Sequence, residues 1–133
     1  MIAGIGMDMV EIHRVVKACE RAAFLKKYFT EAERELIAVD LKRAADNFAV
    51  KEAVSKMFGT GFREISPIDI ECLRDKLGKP YVNLYGKAAE YKRLLSIDEI
   101  YVTITNTREL SAAVAVGETK NEISYESRTD EGD

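Results

Sequence analysis

Histidine occurs once in this sequence, cysteine twice and tryptophan not at all. Cys19 and Cys72 lie far apart in apolar contexts. With His13 as the single histidine they make neither a metal-ligand spacing nor a disulfide framework, and both read as reduced core residues. His13, beside Arg14, reads as a surface residue with no ligand role. No apolar run approaches the ~20 residues that span a bilayer. The N-terminus, MIAGIGMDMVEI, lacks the basic start and small-residue cleavage site of a signal peptide, so the protein is expected to be cytoplasmic. Nor does one sign of charge dominate: the net charge is −3 with both signs interspersed, which argues against non-specific binding to nucleic acid or anionic membrane. Any phosphate-binding region must be local.

What remains is an ordinary globular composition, with 47% hydrophobic and 32% charged residues in a chain of 133. That length fits one domain with a real core, placed at residues 1–118. The polar, finally acidic stretch 119–133 has no sustained period and is expected to be a disordered or partner-ordered tail.

Along the chain, residues 2–10 alternate as a strand, with Ile5, Met7 and Met9 on one side and Gly4, Gly6, Asp8 and Val10 on the other. Ile12, Val15, Val16 and Cys19 then recur at helical spacing, opposite a basic face of Arg14, Lys17 and Arg21. Thr30 followed by Glu33 is a capping-box signature that opens a helix to about Val39. A longer helix is predicted from about Leu41 to Phe58, ended by Gly59 and Gly61, which can take positive φ. From Ser66-Pro67 the pattern turns to strands: a hairpin around DKLGKP, a short helix in GKAAEYKRLLS, and a closing hairpin of IYVTIT and LSAAVAV. This order argues for an α+β domain.

The glycines of GIGMDM fall inside the first strand, and GTG follows SK, so neither is a dinucleotide or phosphate loop. They point instead to close approach of something to the backbone. A carboxylate among Ile5, Met7, Met9 and Val10 is costly unless solvated, paired or metal-bound. Singly, Asp8 reads as a strand-end carboxylate meeting a lysine, and Glu52 as an i,i+4 partner of Lys56 worth about 0.2–0.5 kcal/mol. Together, two carboxylates from separate elements can hold Mg²⁺ and leave positions for water and substrate phosphates. Lys56, one turn beyond Glu52, can then meet a phosphate oxygen, and Ser55 can hydrogen-bond the same group.

Three stretches, GIGMDMVEIHRV, FAVKEAVSKMFGTGF and TITNTRELSAAVAV, resemble in order and separation the holo-acyl-carrier-protein synthases. The resemblance covers roughly residues 2–117. It implies a 4′-phosphopantetheinyl transferase fold, and a subunit that assembles as a homotrimer with active sites at the interfaces. The implied reaction moves the phosphopantetheine arm of coenzyme A to a serine of apo acyl carrier protein and releases adenosine 3′,5′-bisphosphate. By motif match, the metal ligands fall on Asp8 and Glu52 and the catalytic lysine on Lys56, with Glu52, directly or through a metal-bound water, a candidate to accept the serine proton. Ser55, Lys56, Gly59, Gly61, Thr105, Asn106 and Thr107 are the implied coenzyme A contacts. The sequence departs from the family at Asn47, where arginine is frequent, and at Asn106, where histidine is usual. Asparagine brings no charge to the nucleotide phosphates; Lys42 and Arg43, upstream on the same helix, can replace it. The basic face Arg14, Lys17 and Arg21 complements the acidic carrier the family implies. The alternative is a coenzyme A or nucleotide-binding homologue that has lost transfer, with Asn47 and Asn106 as its marks.

Overall fold

The structure is a computed structural model and describes residues 1–120; of the polar tail, residues 121–133 lie outside the described residues. In chain order the elements are β1 (Ile2–Glu11), α1 (Ile12–Ala18), α2 (Ala22–Tyr28), α3 (Glu31–Val39), α4 (Lys42–Met57), β2 (Ile70–Arg74), β3 (Pro80–Leu84), α5 (Gly86–Leu94), β4 (Glu99–Asn106) and β5 (Leu110–Glu118). Short 3-10 turns cover Gly61–Arg63 and Pro67–Asp69. The α+β order therefore holds, with one helix, α2, that periodicity does not reveal.

The first and last strands are neighbours. β1 pairs antiparallel with β5, setting Asp8 opposite Ala113 and Gly6 opposite Ala115, and β4 flanks β5 on its other side. The hairpin β2–β3 forms a separate two-stranded sheet. Its turn is held by Asp75, whose Oδ1 accepts from the Leu77 and Lys79 amides at 2.9 Å each.

α4 packs on one face of the larger sheet, and the glycines of β1 explain how closely. A Cβ added at Gly6 would lie 2.6 Å from the Met57 amide nitrogen and closer still to the Ala53 carbonyl; one at Gly4 would strike the Met57 carbonyl. What approaches this backbone is thus the main chain of α4. Gly59 and Gly61 serve a different need, φ of +83° and +60° where the helix stops, with open space around both.

Two apolar clusters complete the interior. One, including Val50, Val54, Phe58, Ile65, Ile70 and Val102, lies between α4 and the sheets. The other, around Ile12, Val15, Cys19, Phe29 and Ile37, lies under α1 to α3. Both cysteines are buried free thiols, and burial pushes the Cys72 thiol up to about 11, so neither offers a reactive thiolate. The far face of the larger sheet is bare: Ile5, Met7, Met9 and Tyr101 are exposed and Val114 and Val116 only half-buried. Among the described residues no helix is long and apolar enough to cross a membrane.

Candidate functional site

Asp8 projects from the glycine side of β1 toward α4 and meets Lys56, in the last turn of that helix, whose Nζ donates to Asp8 Oδ1 at 2.9 Å and to the Met7 carbonyl at 3.2 Å. Lys56 therefore crosses to the strand; among the described residues no ion pair joins it to Glu52, so the i,i+4 bridge is not the arrangement formed. The Asp8 carboxylate is mostly covered, at 16% side-chain exposure, while Lys56 is half-exposed at 50%. Glu52 feels both partners. Partial burial first, then the negative charge of Asp8, raise its carboxyl above the ordinary glutamate value, with Lys56 opposing them. The hydrogen bond and charge of Asp8 hold the Lys56 ammonium above its ordinary value. Two carboxylates repelling each other across a strand and a helix, with a lysine beside them, make a site that attracts a cation and, through Lys56, an anion.

The remaining predicted residues are distributed more widely. Ser55 is fully buried, and its hydroxyl donates to the Glu52 carbonyl at 2.7 Å rather than facing the carboxylates. Gly59 and Gly61 follow directly where α4 ends. Lys42 and Arg43 stand in the first turn of α4, about 15 Å along the axis from Glu52. Lys42 borders a cavity of about 820 Å³ shared with His13 and Arg108. Asn106 donates to Asp46 Oδ1 at 3.0 Å, and the same oxygen accepts from the Ser111 hydroxyl at 2.6 Å. Thr107 Oγ1 accepts from the Leu110 amide at 3.1 Å and shapes the β4–β5 turn. Thr105, opposite Ala112 in the register, is exposed on the bare face of the sheet. The structure thus joins Asp8, Glu52 and Lys56, and leaves Lys42, Arg43, Thr105, Asn106 and Thr107 apart from them within one chain.

Asn47 requires a correction. It is fully buried, donating to Glu33 Oε2 and to the Cys72 carbonyl at 2.9 Å each and accepting from Arg74 Nη2 at 2.9 Å. A residue so enclosed faces the interior of this chain rather than a surface where its missing charge would meet a phosphate. Beside it lies an element that sequence reasoning missed: Lys51, wholly buried, pairs with wholly buried Glu33 at 2.7 Å. Lys51 also donates to the carbonyls of Pro67, at 3.0 Å, and Ile70. Glu33 closes the capping box of α3 as predicted, so one carboxylate serves two elements. Thr30 in turn donates to Glu71, which Asn83 and Tyr85 also reach. Burial pushes the Glu71 carboxyl up, but these three hydrogen bonds outweigh it and leave it below its ordinary value. The one sequence signal was a polar stripe, Asn47, Lys51 and Ser55, at four-residue spacing on a helix otherwise rich in alanine.

A family model described as the 4′-phosphopantetheinyl transferase superfamily matches residues 4–115. A holo-[acyl-carrier-protein] synthase of Lachnoclostridium phytofermentans is 61% identical over 118 residues, which is 89% of this chain and 97% of that protein. Among solved structures, an acyl carrier protein synthase of Plasmodium yoelii with ADP bound superposes with a TM-score of 0.82 at 32% identity, over 91% of this chain and 98% of that one. A holo-(acyl-carrier-protein) synthase of Bacillus anthracis in complex with coenzyme A (3′,5′-ADP) gives 0.75 at 32% identity, over 90% and 99%.

Proposed function

The chain belongs to the 4′-phosphopantetheinyl transferase superfamily, and we propose that Asp8, Glu52 and Lys56 carry the transfer. It is a holo-[acyl-carrier-protein] synthase, moving the 4′-phosphopantetheine moiety of coenzyme A onto a serine of apo acyl carrier protein with release of adenosine 3′,5′-bisphosphate. The observation that carries the assignment is the meeting of Asp8 from β1 with Glu52 and Lys56 from α4.

The donor set fits a magnesium ion. It offers two carboxylates, and among the described residues no third histidine, cysteine or acid joins them, so most of the shell is left to water and phosphate oxygens, as this ion favours. Asp8 and Glu52 would hold it, and when bound it neutralises charge on the coenzyme A pyrophosphate. The serine oxygen attacks the β-phosphorus while the bond to the 3′,5′-ADP oxygen breaks. Glu52, with its raised pKa, is placed to accept the serine proton. Lys56, kept an ammonium by its own raised pKa, meets the leaving phosphate as a point charge.

Residues 1–118 form the catalytic unit. Its bare sheet face, with Ile5, Met7, Met9 and Tyr101 exposed, supports assembly into a homotrimer. Thr105 lies on that face, so the family's coenzyme A contacts in the β4–β5 turn would serve a neighbouring subunit's carboxylates. Arg14 and Lys17 on α1 and Arg21 at the start of α2, which the structure places on two short helices rather than the one expected, are exposed beside an apolar groove of about 460 Å³ lined by Met9, Val15, Phe24 and Phe48, a surface suited to an acidic carrier with apolar side chains. The reading as a binding protein without transferase activity loses Asn47 as a mark, because that residue lies in the interior.

Incubation with coenzyme A, Mg²⁺ and apo acyl carrier protein, followed by intact mass, is expected to show the carrier gaining one phosphopantetheine. A carrier left unmodified, where a known synthase modifies it, overturns the assignment.

A further inference from the structure

A capping box asks one oxygen of its glutamate, yet both oxygens of the buried Glu33 carboxylate are used twice. Oε1 accepts from the Thr30 amide at 3.1 Å and from Lys51 at 2.7 Å; Oε2 accepts from Asn47 at 2.9 Å and from the Cys72 amide at 3.2 Å. Asn47 and Lys51 stand four residues apart, on one face of α4. Glu33 therefore holds that helix at two points one turn apart.

Stability alone does not explain such a device. Apolar residues of similar volume commonly replace a buried ion pair without loss, and one side of this pair is already apolar: the Lys51 ammonium lies 5.3 Å from the Phe29 ring centroid, while its other side meets the carbonyls of Pro67 and Ile70. Directional bonds add something apolar packing does not. α4 is buried around most of its girth; Val50, Val54 and Met57 pack it by shape against the sheets, while Ala44, Ala45, Ala49 and Ala53 are small side chains that favour no single rotation about the axis. Gly4 and Gly6 let the helix come close to β1, but they present no side chain to key it. Glu52 follows Lys51 by about 100° around the helix, so a rotation of one residue would carry its carboxylate away from Asp8.

We propose that Glu33 is a positioning residue for the transfer site: by clamping Asn47 and Lys51 it fixes the rotation of α4 and so the apposition of Glu52 to Asp8. The inference rests on the reading of Asp8 and Glu52 as a metal-binding pair.

The test is Mn²⁺ binding, by electron paramagnetic resonance without coenzyme A, to the double variant Glu33→Gln/Lys51→Met, which leaves no unpaired charge. The double variant is expected to unfold cooperatively and to bind Mn²⁺ about 10-fold or more weakly, the scale of loss when support behind metal ligands is removed. Its kcat is expected to fall together with the metal affinity. A folded double variant with wild-type Mn²⁺ affinity overturns the proposal. Should the double variant not fold, Asn47→Ser keeps the charge pair and decides: a loss of roughly 3-fold, one hydrogen bond's worth, is expected, and unchanged affinity overturns the clamp. A wild-type protein that neither binds Mn²⁺ nor modifies carrier overturns the functional reading instead. Wild type that does both, beside variants that bind Mn²⁺ equally well, overturns only the clamp.

Discussion

Glu52, the one glutamate of α4, is partly buried and close to a second carboxylate. Burial and the neighbouring Asp8 charge favour its protonated form, whereas holding a cation or accepting a proton both need the anion. In the protein free of divalent cation the Glu52 carboxyl, followed by carboxyl NMR, should therefore titrate above the ~4.3 of a free glutamate, and a bound cation should pull it down. In cation-free Asp8→Asn one of the two raising causes is removed, and the Glu52 midpoint should move down. Glu52→Gln should lower kcat/KM by about 10²- to 10⁴-fold. A cation-free Glu52 midpoint at or below the free-glutamate value would contradict this account of Glu52. At this scale the sequence was informative about identity and silent about orientation. Asp8, Glu52 and Lys56 could be named from three spaced motifs. That Lys56 turns to Asp8, and that Asn47 faces inward, depends on the rotation of α4, which no one-dimensional spacing contains.

Elements were legible where their period was long. β1, α3 with its Thr30–Glu33 box and the long α4 are all announced by spacing or caps. α2 is not: its seven residues have no side-chain cap, and none of them is fully buried. Phe24 packs on Tyr28 one turn along the same helix at 4.6 Å, and the tertiary hold comes from Phe48 of α4, 6.4 Å from Phe24 and 5.7 Å from Tyr28 between ring centroids. The strand-to-helix contact gives a sharper prediction. Gly6→Ala places a methyl against the main chain of Ala53 and Met57, and should cost about 1–3 kcal/mol of unfolding free energy as overpacking does, read by denaturant titration. A wild-type unfolding midpoint would show that α4 can retreat. On the face formed by α1 and the start of α2, Arg14→Glu/Arg21→Glu should raise the carrier-protein KM with kcat preserved, and weaken its salt dependence. An unchanged KM removes this face from the docking surface.

For the whole molecule, the α+β order was legible from the switch of period after residue 66, but the pairing of the first strand with the last was not. Local alternation says that β1 and β5 are strands and nothing about their being partners. That pairing creates the bare face, and with it a prediction about assembly. Val116, set between Ile5 on one side and Tyr101 on the other, becomes charged in Val116→Arg. Light scattering should then report a monomer with transfer activity lost; a fully active monomer would contradict a site shared between subunits. The same pairing anchors Gly4 and Gly6 beneath α4. Side chains have rotamers and can accommodate a changed neighbour, but main chain resting on main chain has none. The separation of strand and helix that Asp8 and Glu52 span is thus inherited from peptide geometry, so a changed core side chain reaches the gap between the two carboxylates by turning α4 rather than by pulling it closer to β1.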